Sequence, residues 1–122
     1  PFTTFYGFYE RHHALRAAGE GGALPPRWQT PAKPLARSTP LTTVASTDLG
    51  GGAYGGPLLN TSLQLVGVVF DGNAQSAVGD YFFLPHRMRA VAVDVRGVLE
   101  GLSAVYGADR LTQEMTAETA SR

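Results

Sequence analysis

The stretch Gly51-Gly-Ala-Tyr-Gly-Gly-Pro57 and the run after it, Leu63-Gln-Leu-Val-Gly-Val-Val-Phe70, decide the fold of this 122-residue chain. Glycine adopts backbone conformations that other residues avoid, so four glycines in seven positions indicate a tight loop. Pro57 suits the start of a strand where no N–H is needed. The run 63–70 alternates and then becomes continuously apolar, which predicts a strand buried on both faces. Asp71-Gly72-Asn73 then predicts a turn.

Further strands are predicted on both sides of this centre. Leu41-Thr-Thr-Val-Ala-Ser-Thr47 is rich in β-branched residues and leads into the loop. Ser76 to Leu84 contains Tyr81-Phe82-Phe83 and predicts another strand, and Met88 to Val93 alternates as a last one. The order of strand, glycine loop, strand, turn and strand predicts a mainly β fold.

Residues 94–116 predict one or two C-terminal helices. Asp94 is a good N-cap. The residues after it place one apolar stripe at helical spacing: Val95, Val98, Leu99, Leu102, Val105 and Tyr106. Gly107 suits the position just past a helix end, and Ala108, Leu111 and Met115 predict a second short helix.

The first third of the chain is different in character. Phe2 to Leu15 is rich in aromatic residues and predicts a strand that leads into a short helix. Residues 16–40 hold most of the prolines, which predicts a long Pro/Gly-rich loop that Trp28 anchors. We interpret residues 1–122 as a single partial domain, and the start at Pro1 without methionine predicts processing or a fragment.

The glycine-rich loop resembles the nucleophile loop of chymotrypsin-like serine peptidases, Gly-x-Ser-Gly-x-Pro, with Tyr54 at the serine position. More widely, the chain resembles the bacterial dipeptidyl-peptidases 7 and 11 of peptidase family S46. The residues that carry this resemblance are Leu24 to Trp28, Ser46 to Asp48, Gly51 to Asn60, Val66 to Asn73, Ala92 to Arg96, Val98 to Glu100 and Val105 to Ala108. The resemblance implies the C-terminal barrel portion of a chymotrypsin-like double β-barrel, the second barrel of a trypsin-like peptidase.

The resemblance also implies roles for five residues. Tyr54 stands at the position of the nucleophilic serine, and Gly52 at that of the glycine that donates to the oxyanion. Phe70 and Asp71 resemble the pair at the substrate's amino-terminal end, where the carboxylate would hold the peptide's α-ammonium. Gly72 matches the position that separates subtypes, and glycine there implies an apolar first pocket.

The loop departs from the family pattern Gly-Gly-Asn-Ser-Gly-Ser-Pro at Ala53, Tyr54 and Gly56. A phenol on a long side chain is a poor replacement for a serine hydroxyl in acyl transfer. The histidine and aspartate that activate the family's serine lie in its other barrel, and no position here corresponds to them. We therefore expect part of a serine-type dipeptidyl-peptidase, a hydrolase and aminopeptidase, that is inactive as it stands.

Two alternatives stay open. The first is a pseudoenzyme module that binds peptide N-termini or a partner chain. The second is a truncated or decayed gene product that has no function of its own. The expected partners are peptides with a free N-terminus, and the missing N-terminal barrel or a second copy in a homodimer. The resemblance implies a periplasmic or secreted parent protein.

Composition excludes several other classes. Ten basic and ten acidic side chains cancel, so neither nucleic acid nor an anionic membrane is an expected partner. No apolar run approaches the ~20 residues of a membrane span. We expect no cofactor and no metal, because His12-His13 and His86 lack ligands at metal-binding spacing. Ser46 and Ser62 flank the loop, but neither lies in a strained glycine turn that would make it a displaced nucleophile.

Overall fold

The computed structural model describes residues 2–50 and 52–117. The strands are β1 (Phe2–Thr4), β2 (Pro40–Ala45), β3 (Pro57–Leu59), β4 (Leu65–Gly72) and β5 (Ala90–Asp94). The helices are α1 (Phe5–Ala17), α2 (Pro26–Gln29), a 3-10 helix (Ala74–Val78), α3 (Val95–Glu100) continued by a π-helical turn (Gly101–Val105), and α4 (Asp109–Thr116). The strands form one sheet in the order β1-β2-β5-β4-β3, with every pair antiparallel. The fold is thus mainly an antiparallel sheet with several helices. Within residues 2–50 and 52–117, no helix is long and apolar enough to cross a bilayer.

The predicted strand-to-helix start of the chain is confirmed. Thr4 caps α1, since its hydroxyl accepts a hydrogen bond from the Gly7 N–H at 3.4 Å. Phe5 and Tyr9, four residues apart and so on one helix face, are both buried. Their burial places α1 against the rest of the domain.

Trp28 anchors the Pro/Gly-rich segment, as expected. Its ring lies 6.1 Å from that of Phe5 and 6.2 Å from that of Tyr106, between centroids. The Lys33 N–H donates to the Ala104 carbonyl at 2.9 Å, which ties the segment to the π-helical turn. The segment is mostly irregular but includes the end of α1 and the one-turn helix α2. These contacts attach it to the C-terminal helices of its own chain.

A small apolar core lies between the sheet and the glycine-rich loop. It consists of Leu49, Val69, Ala90 and Ala92, with Ala53 and Leu58 packed against it. Ala90 and Ala92 are two apart on β5, so both side chains project to the same face. The core therefore joins the loop to the central strands.

Burial of β4 on both faces was a wrong prediction. Val69 is 5% exposed, whereas Val68 and Phe70 are 36% and 48% exposed. The alternation arises because, in the described part of the chain, the small apolar core covers only one face of β4. The side chains of Val68 and Phe70 are exposed to solvent. The strand also begins at Leu65, because Leu63 has a positive φ of 60° in the preceding turn.

Two predictions beyond β4 were also wrong. Asp71 and Gly72 do not begin a turn: they pair with Val91 and Ala90 of β5, so the strand continues through Gly72. The segment Ser76 to Leu84 is not a strand but the end of a 3-10 helix followed by turns. Its aromatic residues are largely exposed, with Tyr81 at 87%, so their β propensity did not decide the local structure without packing against the sheet.

The C-terminal helices are confirmed. Asp94 caps α3 through a 2.9 Å hydrogen bond from the Arg96 N–H, and Gly107 leaves the helix with φ of 64°. The turn Gly101–Val105 is π-helical, which shifts the predicted stripe so that Val105 is buried while Tyr106 is half-exposed. α3 lies directly on β2, since a Cβ on Gly97 would come within 2.7 Å of the Pro40 carbonyl oxygen.

Asp94 makes stability depend on pH. Hydrogen bonds from the Arg96 side chain lower the pKa of this buried carboxyl, and burial opposes them only in part. A carboxyl whose pKa is lower in the folded than in the unfolded chain stabilises the folded protein. That stabilisation is fully present at pH values above the unfolded-state pKa of about 4. That contribution is lost as pH falls through the folded-state pKa.

We expect Asp94→Asn, which keeps a capping side chain but no charge, to lower the free energy of unfolding by roughly 1–2 kcal/mol at pH 7. In urea titrations the gap from wild type should narrow as pH falls below about 4, the unfolded-state pKa, and disappear once Asp94 is protonated in the folded state. Glu114→Gln, which breaks the exposed pair with Arg110, should change little. A gap for Asp94→Asn that stays constant from pH 7 to pH 2.5 would contradict this account.

Candidate functional site

The glycine-rich loop folds as two successive turns between β2 and β3. The Ala53 N–H donates to the Gly50 carbonyl and the Gly56 N–H to the Ala53 carbonyl, each at 3.0 Å. Gly55 has φ of 85°, which only glycine adopts readily. A Cβ on Gly56 would come within 2.9 Å of the Ala53 carbonyl oxygen. Local chemistry at these two glycines therefore forces the bend, and β3 begins at Pro57 as predicted.

The bend is held against the middle of β4. The Gly55 N–H donates to the Val69 carbonyl at 2.7 Å, and the Val69 N–H donates to the Gly56 carbonyl at 3.0 Å. The pairing continues into β3, where Pro57 lies opposite Val68. The loop and β4 therefore form one connected unit.

Tyr54 lies in this bend with 57% of its surface exposed. It borders a recess of about 80 Å³ that is also lined by Leu49, Gly50, Ser76, Ala77 and Asp80. Within the described residues, neither the Tyr54 N–H nor the Gly52 N–H has a hydrogen-bond partner, and the space beside Gly52 is open. Among the described residues, nothing competes with a bound carbonyl oxygen for these two amide donors.

Phe70 is the extra residue of a β-bulge in β4. Val69 pairs with Ala92 and Asp71 with Val91, which leaves Phe70 without a partner on β5. A regular strand would turn Asp71 to the same face as Val69. The bulge instead leaves both Phe70 and Asp71 exposed, one residue after the point where the loop is attached. Two residues predicted to bind the substrate's amino end are thus brought side by side.

The Asp71 carboxylate is lightly engaged. Its Oδ1 accepts a hydrogen bond from the Gly72 N–H at 2.8 Å, and among the described residues it forms no ion pair. Gly72 is closely packed, since a Cβ there would lie 3.0 Å from Ser76 Cβ and 3.1 Å from Leu49 Cδ1. Gly72 therefore lies beside two residues that line the Tyr54 recess.

Sequence reasoning missed the network that supports this corner. The Ser76 hydroxyl, largely buried, donates to Asn73 Oδ1 at 2.7 Å, and the Arg89 N–H donates to the same oxygen at 3.0 Å. Asn73 Nδ2 donates to the Arg87 carbonyl at 2.7 Å. The Asn-x-x-Ser spacing just before a helical turn was the available signal, because Asn favours such starts.

The other candidates do not join this site. No group of histidine and carboxylate side chains in residues 2–50 and 52–117 could hold a metal ion. His12 and His13 lie on α1 rather than on a strand, with ring centroids 5.8 Å apart. His86 lies in a turn, as predicted, and Ser62 is held in the turn after β3 by Asn60 Oδ1.

The sequence model of the family described as Peptidase S46 matches residues 1–117. The chain belongs to the peptidase S46 family. The chain is 36% identical over 73 residues to dipeptidyl-peptidase 7 of Capnocytophaga gingivalis, covering 60% of this chain and 10% of the relative. It is 38% identical over 78 residues to an Asp/Glu-specific dipeptidyl-peptidase of Shewanella putrefaciens, covering 64% and 11%. S46 members of both types thus match at similar identity.

The fold agrees with solved S46 structures. DPP11 of Porphyromonas endodontalis in complex with the dipeptide Arg-Asp superposes with a TM-score of 0.74 and 25% identity, covering 98% of this chain and 18% of that one. The same protein in complex with the dipeptide Arg-Glu superposes with a TM-score of 0.73 and 26% identity. That match covers 96% of this chain and 18% of the solved one. This S46 chain therefore spans about a tenth of the length of the curated relatives and under a fifth of the solved ones.

The contact between Gly72, Leu49 and Ser76 is testable. Gly72→Ala should lower the free energy of unfolding by about 1–3 kcal/mol, because the added methyl group overpacks the recess wall. Urea titrations of Gly72→Ala, Leu49→Ala and the double variant should show that Leu49→Ala relieves at least about 0.5 kcal/mol of that cost. The matched control Gly52→Ala, which faces open space, should stay within about 0.5 kcal/mol of wild type. Strict additivity would contradict the contact.

Proposed function

We propose that this chain is the part of an S46 dipeptidyl-peptidase that carries the nucleophile loop and one wall of the peptide-binding site. We further propose that it does not catalyse acyl transfer through residue 54. In this account it contributes Gly52, Phe70, Asp71 and Gly72 to recognition of peptides with a free N-terminus, within a chymotrypsin-like double barrel. Family membership and the likeness to peptide-bound DPP11 support the substrate class.

The observation that carries the proposal is the attachment of the Tyr54 bend to Val69 of β4. The bulge at Phe70 follows immediately, so the proposed nucleophile position and the proposed amine-binding residues belong to one hydrogen-bonded piece of sheet. A dipeptidyl-peptidase needs such a fixed spacing, because it measures two residues from the peptide's amino end to the scissile bond. In the proposal, Asp71 binds the amino end of the peptide and Tyr54 marks the position of the scissile bond.

The recess beside Tyr54 does not complete a site. Its volume of about 80 Å³ is well below the roughly 300–1,000 Å³ of ordinary ligand pockets. Acyl transfer to a hydroxyl also needs an adjacent base, and no histidine is among the described residues that line the recess. These observations support a wall of a larger site that lacks its proton relay.

Asp71 is the proposed clamp for the α-ammonium group. Its carboxylate is exposed, and one oxygen is free of the Gly72 bond. A hydrogen bond between two charged groups contributes about 1.5–3 kcal/mol, which is enough to distinguish a free amine from an acetylated one. The apolar Leu49 side chain beside Gly72 supports an apolar preference at the neighbouring subsite.

The first test is hydrolysis. We expect no turnover of a dipeptidyl fluorogenic substrate by this chain. The variant Tyr54→Ser alone should also remain inactive, because a serine without an adjacent base is not activated. Hydrolysis by the wild-type chain that a serine-directed inhibitor blocks would overturn the inactivity, and hydrolysis that Tyr54→Phe abolishes would give the phenol a catalytic role.

The second test is binding, measured by calorimetry with a tripeptide whose second residue is leucine. We expect saturable binding that weakens about tenfold on N-acetylation and by a similar factor in Asp71→Asn, since about 1.4 kcal/mol corresponds to tenfold. The matched control Asp48→Asn removes another exposed carboxylate near the loop and should bind normally. Equal affinity of the free and acetylated peptides would exclude Asp71 as the clamp. Binding without turnover would describe a peptide-binding pseudoenzyme.

A further inference from the structure

Positive charge is concentrated in the first third of the chain. Residues 1–40 contain five of the ten Lys and Arg residues but only two of the ten acidic ones. The overall charge of zero therefore conceals a basic N-terminal part and an acidic remainder. A local excess of this kind attracts anions to whatever concave surface it lines.

That surface is a cavity of about 440 Å³ between the second half of α1 and the segment that follows α2. Its polar lining comes from Tyr9, His12, His13, Arg16, Gln29 and Arg37. The volume lies within the usual range for small-ligand pockets. No described carboxylate is among the lining residues, so the cavity presents donors and cations without an internal counter-charge.

Arg37 is held in place by a contact that leaves its side-chain donors without a partner among the described residues. Its guanidinium carbon lies 4.9 Å from the centroid of the Tyr9 ring, a cation–π contact. The Tyr9 hydroxyl donates to the Trp28 carbonyl, and burial raises the pKa of Tyr9, so the ring is a fixed, neutral platform. Stacking uses the guanidinium face and leaves the N–H groups in its plane available. Within the described residues, none of them makes a hydrogen bond or an ion pair.

Arg16 supplies the second guanidinium. It lies in the last turn of α1, where a cation is favoured by the helix dipole, and that is its simplest explanation. Its side chain, like that of Arg37, has no partner among the described residues. His12 and His13 add imidazole N–H donors from the same helix, with ring centroids 5.8 Å apart. Two planar guanidinium groups with adjoining imidazoles fit an oxyanion that accepts several hydrogen bonds.

We propose that this cavity, the α1 cavity, binds a phosphate group through Arg16 and Arg37. The doubly charged, tetrahedral phosphate matches both the charge and the number of free donors. The group belongs either to a free ion or to a small phosphorylated molecule, for which the volume leaves room. The site does not involve Tyr54 or Asp71, so it does not depend on the peptidase proposal.

The test is titration of the 122-residue chain with inorganic phosphate, pyrophosphate and AMP by calorimetry, at ionic strength held constant with sodium chloride. We expect saturable binding with a Kd of about 1 mM or tighter, weakened at least about tenfold by Arg37→Ala and by Arg16→Ala. Arg37→Lys keeps the charge but loses the planar fork, and should weaken binding severalfold. Arg110→Ala, a highly exposed cation on α4, should bind as wild type does.

Each outcome decides the proposal. Tighter binding of AMP identifies a phosphorylated small molecule, and tighter binding of phosphate or pyrophosphate identifies the free ion; both support the site. If Arg37→Ala unfolds through loss of the Tyr9 contact, Arg16→Ala still tests the cavity because Arg16 is exposed at the helix end. If Arg16→Ala, Arg37→Lys and Arg110→Ala all bind phosphate equally well, the binding reflects nonspecific electrostatic attraction. That result would overturn the proposed site. Absence of saturable binding up to about 10 mM would do the same.

Discussion

The structure depends on the attachment of the glycine-rich bend to β4 through the backbone of Val69. Both hydrogen bonds of that attachment use main-chain groups, so they do not depend on which side chain residue 54 carries. Under the proposed function, a tyrosine at the serine position is therefore compatible with an intact bend.

The bulge at Phe70 explains how β4 serves two purposes. Before the bulge, Val69 packs into the core with Leu49, Ala90 and Ala92. After it, Phe70 and Asp71 are both exposed, where a regular strand would have turned Asp71 inward. One unpaired residue thus separates the part of the strand that packs into the core from the part whose side chains are exposed. The Asn73 and Ser76 network fixes the far end by tying it to Arg87 and Arg89.

The N-terminal part of the chain is built around a different centre. Trp28 contacts Phe5 and Tyr106 at once, so the segment rich in proline and glycine lies on α1 and on the C-terminal helices. Tyr9 connects that cluster to Arg37 on its outer side. The cationic surface is consequently a by-product of the same aromatic packing that holds the segment in place.

Local sequence was enough for features whose cause is local. The glycine bend, the start of β3 at Pro57, the Asp94 cap and the end of the helix at Gly107 all follow from residues that allow or forbid particular backbone angles and hydrogen bonds. Tertiary structure alone decided the rest. Whether a face of β4 is covered, and whether Tyr81 and its aromatic neighbours join a sheet, depends on which elements pack there. Three further features require contacts between residues far apart in the chain, and no local pattern encodes such contacts. They are the bulge at Phe70, the position of Ser76 beside the Tyr54 recess, and the presence of Arg16 and Arg37 in one cavity.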